Sequence, residues 1–269
     1  MTERRHAVTE RLAETVAEKI RGAYKSRSPV PPIRELLPAG AIDQAYAAQE
    51  VNTKRWLAEG RKLVGRKIGL TSLAVQRQLG VSQPDYGMLF SDMAVPDGWD
   101  VAADQLIQPK VEAEIAFVLG RDLDHEHLTI ADILRAVEFA LPAIEIVDSR
   151  IAEWKIGILD TIADNASSGL YVLGASPKRL DGLELRLCGM VMEQGGDEVS
   201  VGAGAACLGD PLSATLWLAK TMAKVGRPLK AGDTVMSGAL GPMVTVKRGE
   251  VYEARISGLS SVRAAFAKE

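Results

Sequence analysis

From Lys62 onward, glycines divide the chain into short apolar runs: "KLVGRKIGLT", "EAEIAFVL", "AIEIV", "LYVLG", "LRLCGMVM", "TVMSGAL", "MVTVKRG" and "VYEARISG". Runs of this length, rich in β-branched residues and bounded by turn formers, carry the punctuation of β-strands. A few helical patterns interrupt them. Thr129 and Asp132 have capping-box spacing ahead of "IADILRAVEFA". Asp210 followed by Pro211 opens "PLSATLWLAKTMAKV", and Gly226 is placed to close it. Strands outnumber helices and do not alternate with them in a regular βαβ series. The pattern therefore predicts an α+β fold with a mixed, largely antiparallel β core rather than a doubly wound sheet.

The first 61 residues read differently. Val8, Leu12, Val16 and Ile20 recur every fourth residue within 2–26, the stripe of an amphipathic helix that "SPVPP" at 28–32 ends. A second helical pattern over 41–59 stops at Gly60. This predicts a helical N-terminal portion, 1–61, ahead of a mixed β catalytic domain, 62–269. Lys and Arg number 32 against 35 Asp and Glu, a net charge of −3, and no basic stretch suggests a nucleic-acid groove. The N-terminus has no apolar signal-peptide core, and no apolar run is long enough to span a bilayer, so a cytoplasmic location is expected. Cys188 and Cys207 lie far apart without a C-x-x-C pair and are read as reduced, packed thiols. Small molecules and further copies of the chain are the expected partners.

The run "QPKVEAEIAFVLG", 108–120, raises a chemical question. Strand side chains alternate faces, so Glu112 and Glu114 point the same way, about 7 Å apart along the strand. Read alone, such a pair is a solvated, ion-paired surface, with Lys110 on the same face. A third glutamate shifts that reading. Glu145 sits in "FALPAIEIVDSR" between Ile144 and Ile146, where an unpaired carboxylate must be desolvated or change its pKa. Convergence of the three would require a cation, and an all-oxygen set without His or thiolate suits Mg²⁺ or Mn²⁺.

Two further segments carry candidate groups. In "GRKIGLTS" the side chain of Lys67 shares its face with Gly65 and Gly69, so it either reaches solvent over a Gly-rich edge or has space beside it for a ligand, as an ammonium suited to an oxyanion or carboxylate. In "GVSQPDYGMLF" the residues Pro84, Asp85 and Gly87 have turn chemistry, so Asp85 either bonds its own backbone within the turn or stands at a loop tip as a general acid or base. Weaker signals fall away. "HEH" at 125–127 lacks the H-E-x-x-H spacing, "GAGAACLG" is not G-x-G-x-x-G, and no G-x-S-x-G elbow occurs.

Taken in order, "VGRKIGLTS", "LGVSQPDYGMLF", "LIQPKVEAEIAFVL", "PAIEIVDSRI", "DTIADNASSGLYVLG", "CLGDPLSATLWLAK" and "MSGALGPMVTV" resemble the 2-keto-4-pentenoate (2-hydroxypenta-2,4-dienoate) hydratases of aromatic meta-cleavage pathways. These belong to the fumarylacetoacetate hydrolase superfamily. The resemblance covers nearly the whole chain and implies a hydrolase-like β core that assembles into homo-oligomers. It implies metal carboxylates at Glu112, Glu114 and Glu145 holding Mg²⁺ or Mn²⁺, an active-site lysine at Lys67, an active-site aspartate at Asp85 and a substrate-contacting serine at Ser167. The implied reaction adds water to 2-hydroxypenta-2,4-dienoate to give 4-hydroxy-2-oxopentanoate. Two alternatives stay open. The related 4-oxalocrotonate decarboxylases share the glutamates and the lysine but typically lack an acid where this chain has Asp85. An inactive assembly partner, associated with other meta-cleavage enzymes, is the other. Fumarylacetoacetate hydrolases use a His and Glu to activate water, and no histidine lies near the matching segments here.

Overall fold

The computed structural model describes residues 2–79 and 81–268. Two helices lead the chain, α1 (Thr2–Ser26) and α2 (Ile42–Ala58). Val8 of the N-terminal stripe falls outside the described side chains. Leu12 is half-buried, and Val16 and Ile20 are fully buried. Gly60 adopts φ +93° just past α2, the left-handed backbone that lets the chain leave a helix.

Then follow β1 (Leu63–Gly69), α3 (Leu73–Leu79), β2 (Asp85–Phe90), β3 (Ala94–Val95), β4 (Asp100–Val101), β5 (Pro109–Leu119), α4 (Ile130–Ala136), β6 (Val137–Asp148) and α5 (Ile158–Ala163). The chain continues through β7 (Ser168–Leu173), β8 (Gly189–Gln194), β9 (Asp197–Ala203), α6 (Pro211–Lys224), β10 (Thr234–Ala239), β11 (Val244–Thr245), β12 (Val251–Ile256) and β13 (Ser260–Phe266). One sheet runs β2-β1-β10-β5-β6-β7-β3, with β11 also paired to β5, and a second runs β4-β13-β12-β8-β9. Most pairings are antiparallel; β1 with β10, β3 with β7 and β4 with β13 are parallel. This is the mixed α+β architecture the glycine-cut runs imply. No helix among the described residues is long and apolar enough to cross a membrane.

Local signals resolve as their chemistry dictates, with exceptions. The Asp132 carboxylate accepts from the Thr129 backbone N–H at 2.8 Å, and the Asp210 carboxylate accepts from Leu212 N–H at 2.7 Å, opening α4 and α6. The helix expected over "IADILRAVEFA" nevertheless ends at Ala136. From Val137 the residues join β6, where exposed Glu138 alternates with half-buried Val137 and Phe139 and pairing to β5 takes over. "LRLCGMVM" becomes a strand only at Gly189, and "MVTVKRG" contributes just two strand residues. Both cysteines are free and buried. Strand β6 is buried on both faces from Ala140 to Asp148, which explains its near-continuous apolar run.

A second, smaller core joins the N-terminal helices to the segment between β6 and β7. Val16, Ile20, Ala45 and Ala48 pack with Ile151, Leu159 and Ile162. Beneath it lies Arg150, fully buried. Its guanidinium donates to the Asp164 carboxylate, to Asp164 O at 2.8 Å and to Ser168 O at 3.0 Å, under the ring of Tyr24. Arg150 therefore ties both ends of the turn 164–168 to the end of β6. Arg150→Ala is expected to destabilise the fold by about 3–5 kcal/mol, since it strands the Asp164 charge in the interior. A denaturant midpoint within experimental error of the parent would contradict this.

Candidate metal centre and active site

Strands β5 and β6 lie side by side with Glu112 directly opposite Glu145, while Glu114 opposes Ala143. Because β5 is regular here, Glu112 and Glu114 share the face on which Glu145 emerges. One carboxylate oxygen from each of the three lies within 4.8 Å of the others. Glu114 and Glu145 are fully buried and Glu112 is half-exposed, so the cluster reaches solvent at the Glu112 end. Strand β10 adds a donor. Its pairing to β5 is irregular between Met236 and Ala239, and there Gly238 turns its N–H onto Glu114 Oε2 at 2.8 Å. Gly238 has φ +109°, and a Cβ on it would stand 2.4 Å from the Thr71 side chain.

The cluster is electrostatically incomplete. Glu114 Oε1 and Glu145 Oε2 are buried without a hydrogen-bond donor. Burial pushes all three carboxyls upward, with Glu145 repelling both Glu112, which rises to about 7, and Glu114, while Lys67 partly offsets the rise at Glu145. Orphaned, crowded carboxylate oxygens with open lone pairs are what a hard divalent ion requires, so the residues fit Mg²⁺ or Mn²⁺.

Lys67 supplies one internal counter-charge. Its Nζ lies 3.2 Å from Glu145 Oε1 and donates to Ala166 O at 2.8 Å. Burial alone would lower this ammonium, and the facing carboxylates of Glu145, Asp85, Glu112 and Glu114 more than reverse it. The space flanking Lys67 differs from the expectation. A Cβ at Gly65 would meet Thr234 O at 2.0 Å, and one at Gly69 would meet Asp85 Oδ1 at 2.2 Å. The glycines thus admit protein atoms, including the Asp85 carboxylate, rather than a ligand.

Asp85 is also not at a loop tip. It begins β2, pairs with Gly69 and is 1% exposed, because "DYGMLF" is a fully buried strand and not a turn. Neither of its oxygens has a hydrogen-bond partner. Burial raises its pKa and Lys67 draws it back down, which suits a group that exchanges a proton.

Ser167 closes a turn in which Asn165, Ala166 and Ser167 all have φ between 52° and 54°. Three successive left-handed residues persist only when clamped. Asn165 provides one clamp, its amide accepting from Met88 N–H at 2.7 Å and donating to Met88 O at 2.9 Å, and Arg150 provides the other. The turn aims the Ala166 carbonyl at Lys67. The Ser167 hydroxyl is buried without a partner. Sequence reasoning missed Asn165, Gly238 and Arg150. Only Arg150 left a trace, as an arginine separated by two residues from the apolar run that ends at Val147. His125 and His127 join no cluster of potential metal ligands among the described residues.

The fumarylacetoacetate (FAA) hydrolase C-terminal family model matches residues 62–267. The chain belongs to the fumarylacetoacetate hydrolase family. Within the family it is 64% identical over 252 residues to the TodF product hydratase of Pseudomonas putida, covering 94% of each chain. It is 59% identical to 2-keto-4-pentenoate hydratase 2 of Dechloromonas aromatica, covering 94% of this chain and 97% of that one. Among solved structures, the 4-oxalocrotonate decarboxylase from Pseudomonas putida G7, complexed with magnesium and adipate, superposes with a TM-score of 0.90. That pair is 37% identical, with 94% of this chain and 97% of the other covered.

In this family member the crowding of the carboxylates has a measurable consequence. A glutamate whose folded pKa is raised keeps a proton that the unfolded chain releases, so folding is favoured at low pH. Glu112, raised from 4.5 to about 7, makes this contribution fully below about 4.5 and loses it as pH rises through about 7. The loss is at most about 3 kcal/mol. Glu114, Glu145 and Asp85 shift in the same direction. The melting temperature of chelated protein is expected to fall between pH 5 and 8, and saturating Mg²⁺ is expected to abolish that fall. A flat profile without metal would contradict the geometry.

Proposed function

We propose that this chain is a divalent-metal-dependent hydratase adding water to 2-hydroxypenta-2,4-dienoate, giving 4-hydroxy-2-oxopentanoate in the catabolism of aromatic compounds. The observation that carries the reading is Asp85, a buried carboxyl whose pKa burial raises, set apart from the three clustered glutamates and Lys67. Near-full-length identity to hydratases, well above that to the decarboxylase, supports it. Glu112, Glu114 and Glu145 would hold Mg²⁺ or Mn²⁺, in keeping with the magnesium named in the decarboxylase complex. Bound there, the ion supplies Lewis acidity toward the substrate's adjacent carboxylate and C2 oxygens.

The remaining work falls to side chains. Lys67, fixed by Ala166 O and Glu145, offers its other N–H to the charged substrate oxygens and stabilises the negative charge that moves between C2 oxygen and carbon. The enol proton leaves O2 and a proton is delivered to C5, moving the double bond to C3–C4 and forming the 2-keto group. Water then attacks C4. Asp85 positions that water and accepts its proton, and C3 takes a proton to complete the addition. Ser167 contacts the substrate through its otherwise unpartnered hydroxyl. The reading also makes the protein cytoplasmic and a homo-oligomer, and light scattering of purified protein tests the oligomeric state.

The test is a progress curve on 2-hydroxypenta-2,4-dienoate with Mg²⁺ or Mn²⁺. Decay of the dienoate absorbance with a product heavier by one water is expected. Absence of turnover, or CO₂ release from 4-oxalocrotonate as the sole activity, would overturn it.

A further inference from the structure

A cavity of about 340 Å³ opens at the start of β5, lined by Leu106, Lys110, Trp154, Val246, Arg248 and Phe266 among others. Its volume lies within the range of small-molecule sites. Its chemistry is one-sided: the lining includes two cations, Lys110 and Arg248, and no carboxylate. Fifteen ion pairs join side chains elsewhere, yet none involves Lys110 or Arg248 among the described residues. In a chain of net charge −3, two unpaired cations around an apolar hollow favour an anion with an apolar body.

Trp154 gives the hollow a fixed planar wall. Its ring lies under Lys110 Nζ at 4.4 Å, and its indole N–H donates to Gln108 O at 2.9 Å. Glu153 and Trp154 both take left-handed backbone, φ 58° and 54°, so the ring is held at a conformational cost. The cavity is lined by the start of β5, the strand that carries two of the clustered carboxylates. Lys110 shares its strand face with Glu112, about 7 Å further along, and Glu112 is the half-buried end of the cluster.

We infer that this cavity is an outer binding site for a conjugated carboxylate, with Lys110 and Arg248 receiving the anionic end and the Trp154 ring facing the planar chain. The inference rests on the hydratase reading for its role: the site would gather the dienoate beside the metal centre before it chelates.

Hexa-2,4-dienoate probes the cavity alone, because it has the conjugated chain but no C2 oxygen for chelation. Calorimetric titration into chelated protein is expected to show one saturable site per chain. Lys110→Met and Arg248→Met are each expected to weaken it about tenfold, the loss of one charge-assisted contact. Trp154→Phe keeps a ring but loses the indole anchor and is expected to weaken it less. Glu145→Gln should leave it unchanged. With the substrate itself, Lys110→Met should raise KM about tenfold at unchanged kcat, an effect that added salt reproduces in the parent. No saturable binding of the probe, or binding lost in Glu145→Gln and kept in Lys110→Met, would overturn the inference even where the dienoate is hydrated. Probe binding as described in a protein that does not hydrate the dienoate would instead support the site and defeat the hydratase reading.

Discussion

Asp85→Asn is expected to lower kcat for 2-hydroxypenta-2,4-dienoate by about 10²- to 10⁴-fold, the range for a positioned general acid or base, while metal affinity stays within about twofold. The separation follows from placement. Asp85 enters from β2 beside Gly69, whereas the three glutamates rise from β5 and β6. Its oxygens receive no hydrogen bond, so an amide of the same shape fits without breaking one. The fold is therefore expected to tolerate the change, and circular dichroism with a thermal melt controls for this. If turnover is unchanged in the folded variant, Asp85 has no part in the reaction. If metal binding falls together with turnover, Asp85 belongs to the metal site instead.

Glu114→Gln is expected to move stability in opposite directions with and without metal. In chelated protein, Glu114 is a fully buried carboxylate crowded by Glu145 and Glu112, with Lys67 drawing it back and the Gly238 N–H donating to it. The amide oxygen of glutamine retains the hydrogen bond and removes a repelled charge, so the chelated variant should melt higher than the chelated parent. With metal the order reverses. A ligand present at 100 times its dissociation constant stabilises a protein by about 2.7 kcal/mol, a gain the parent should show and the variant should lack. Identical metal-induced shifts in the two proteins would remove Glu114 from the ligand set. A lower melting temperature of the chelated variant would mean that the charge is compensated some other way.

The carboxylate cluster was legible in the sequence because a strand has a strict period. Two glutamates separated by one residue must share a face, and an isolated glutamate amid Ile144 and Ile146 has to be buried. That they converge depends on the register of β5 against β6, which spacing alone does not determine; the opposition of Glu112 and Glu145 is a long-range fact. The end of α4 at Ala136 shows the same limit in another form. "VEFA" fits a helix locally, and pairing with β5 claims it for a strand. Asp85 misled for a related reason, since Pro84, Asp85 and Gly87 are turn residues by composition and lie at a strand start by topology. The glycines beside Lys67 were recognisable as space, but only the fold reveals that Asp85 and Thr234 occupy it. Least visible were the clamps on the left-handed turn, because an Asn–backbone pair and a buried Arg150 leave no periodic signature.

The most direct measurement adds Mn²⁺ stepwise to chelated protein, following bound ion and dienoate hydration in the same samples. Turnover is expected to be absent at zero ion, to rise in proportion to occupancy and to level at one ion per chain. Full hydration before any ion is added would contradict the claim that Glu112, Glu114 and Glu145 assemble the reaction around a single hard cation.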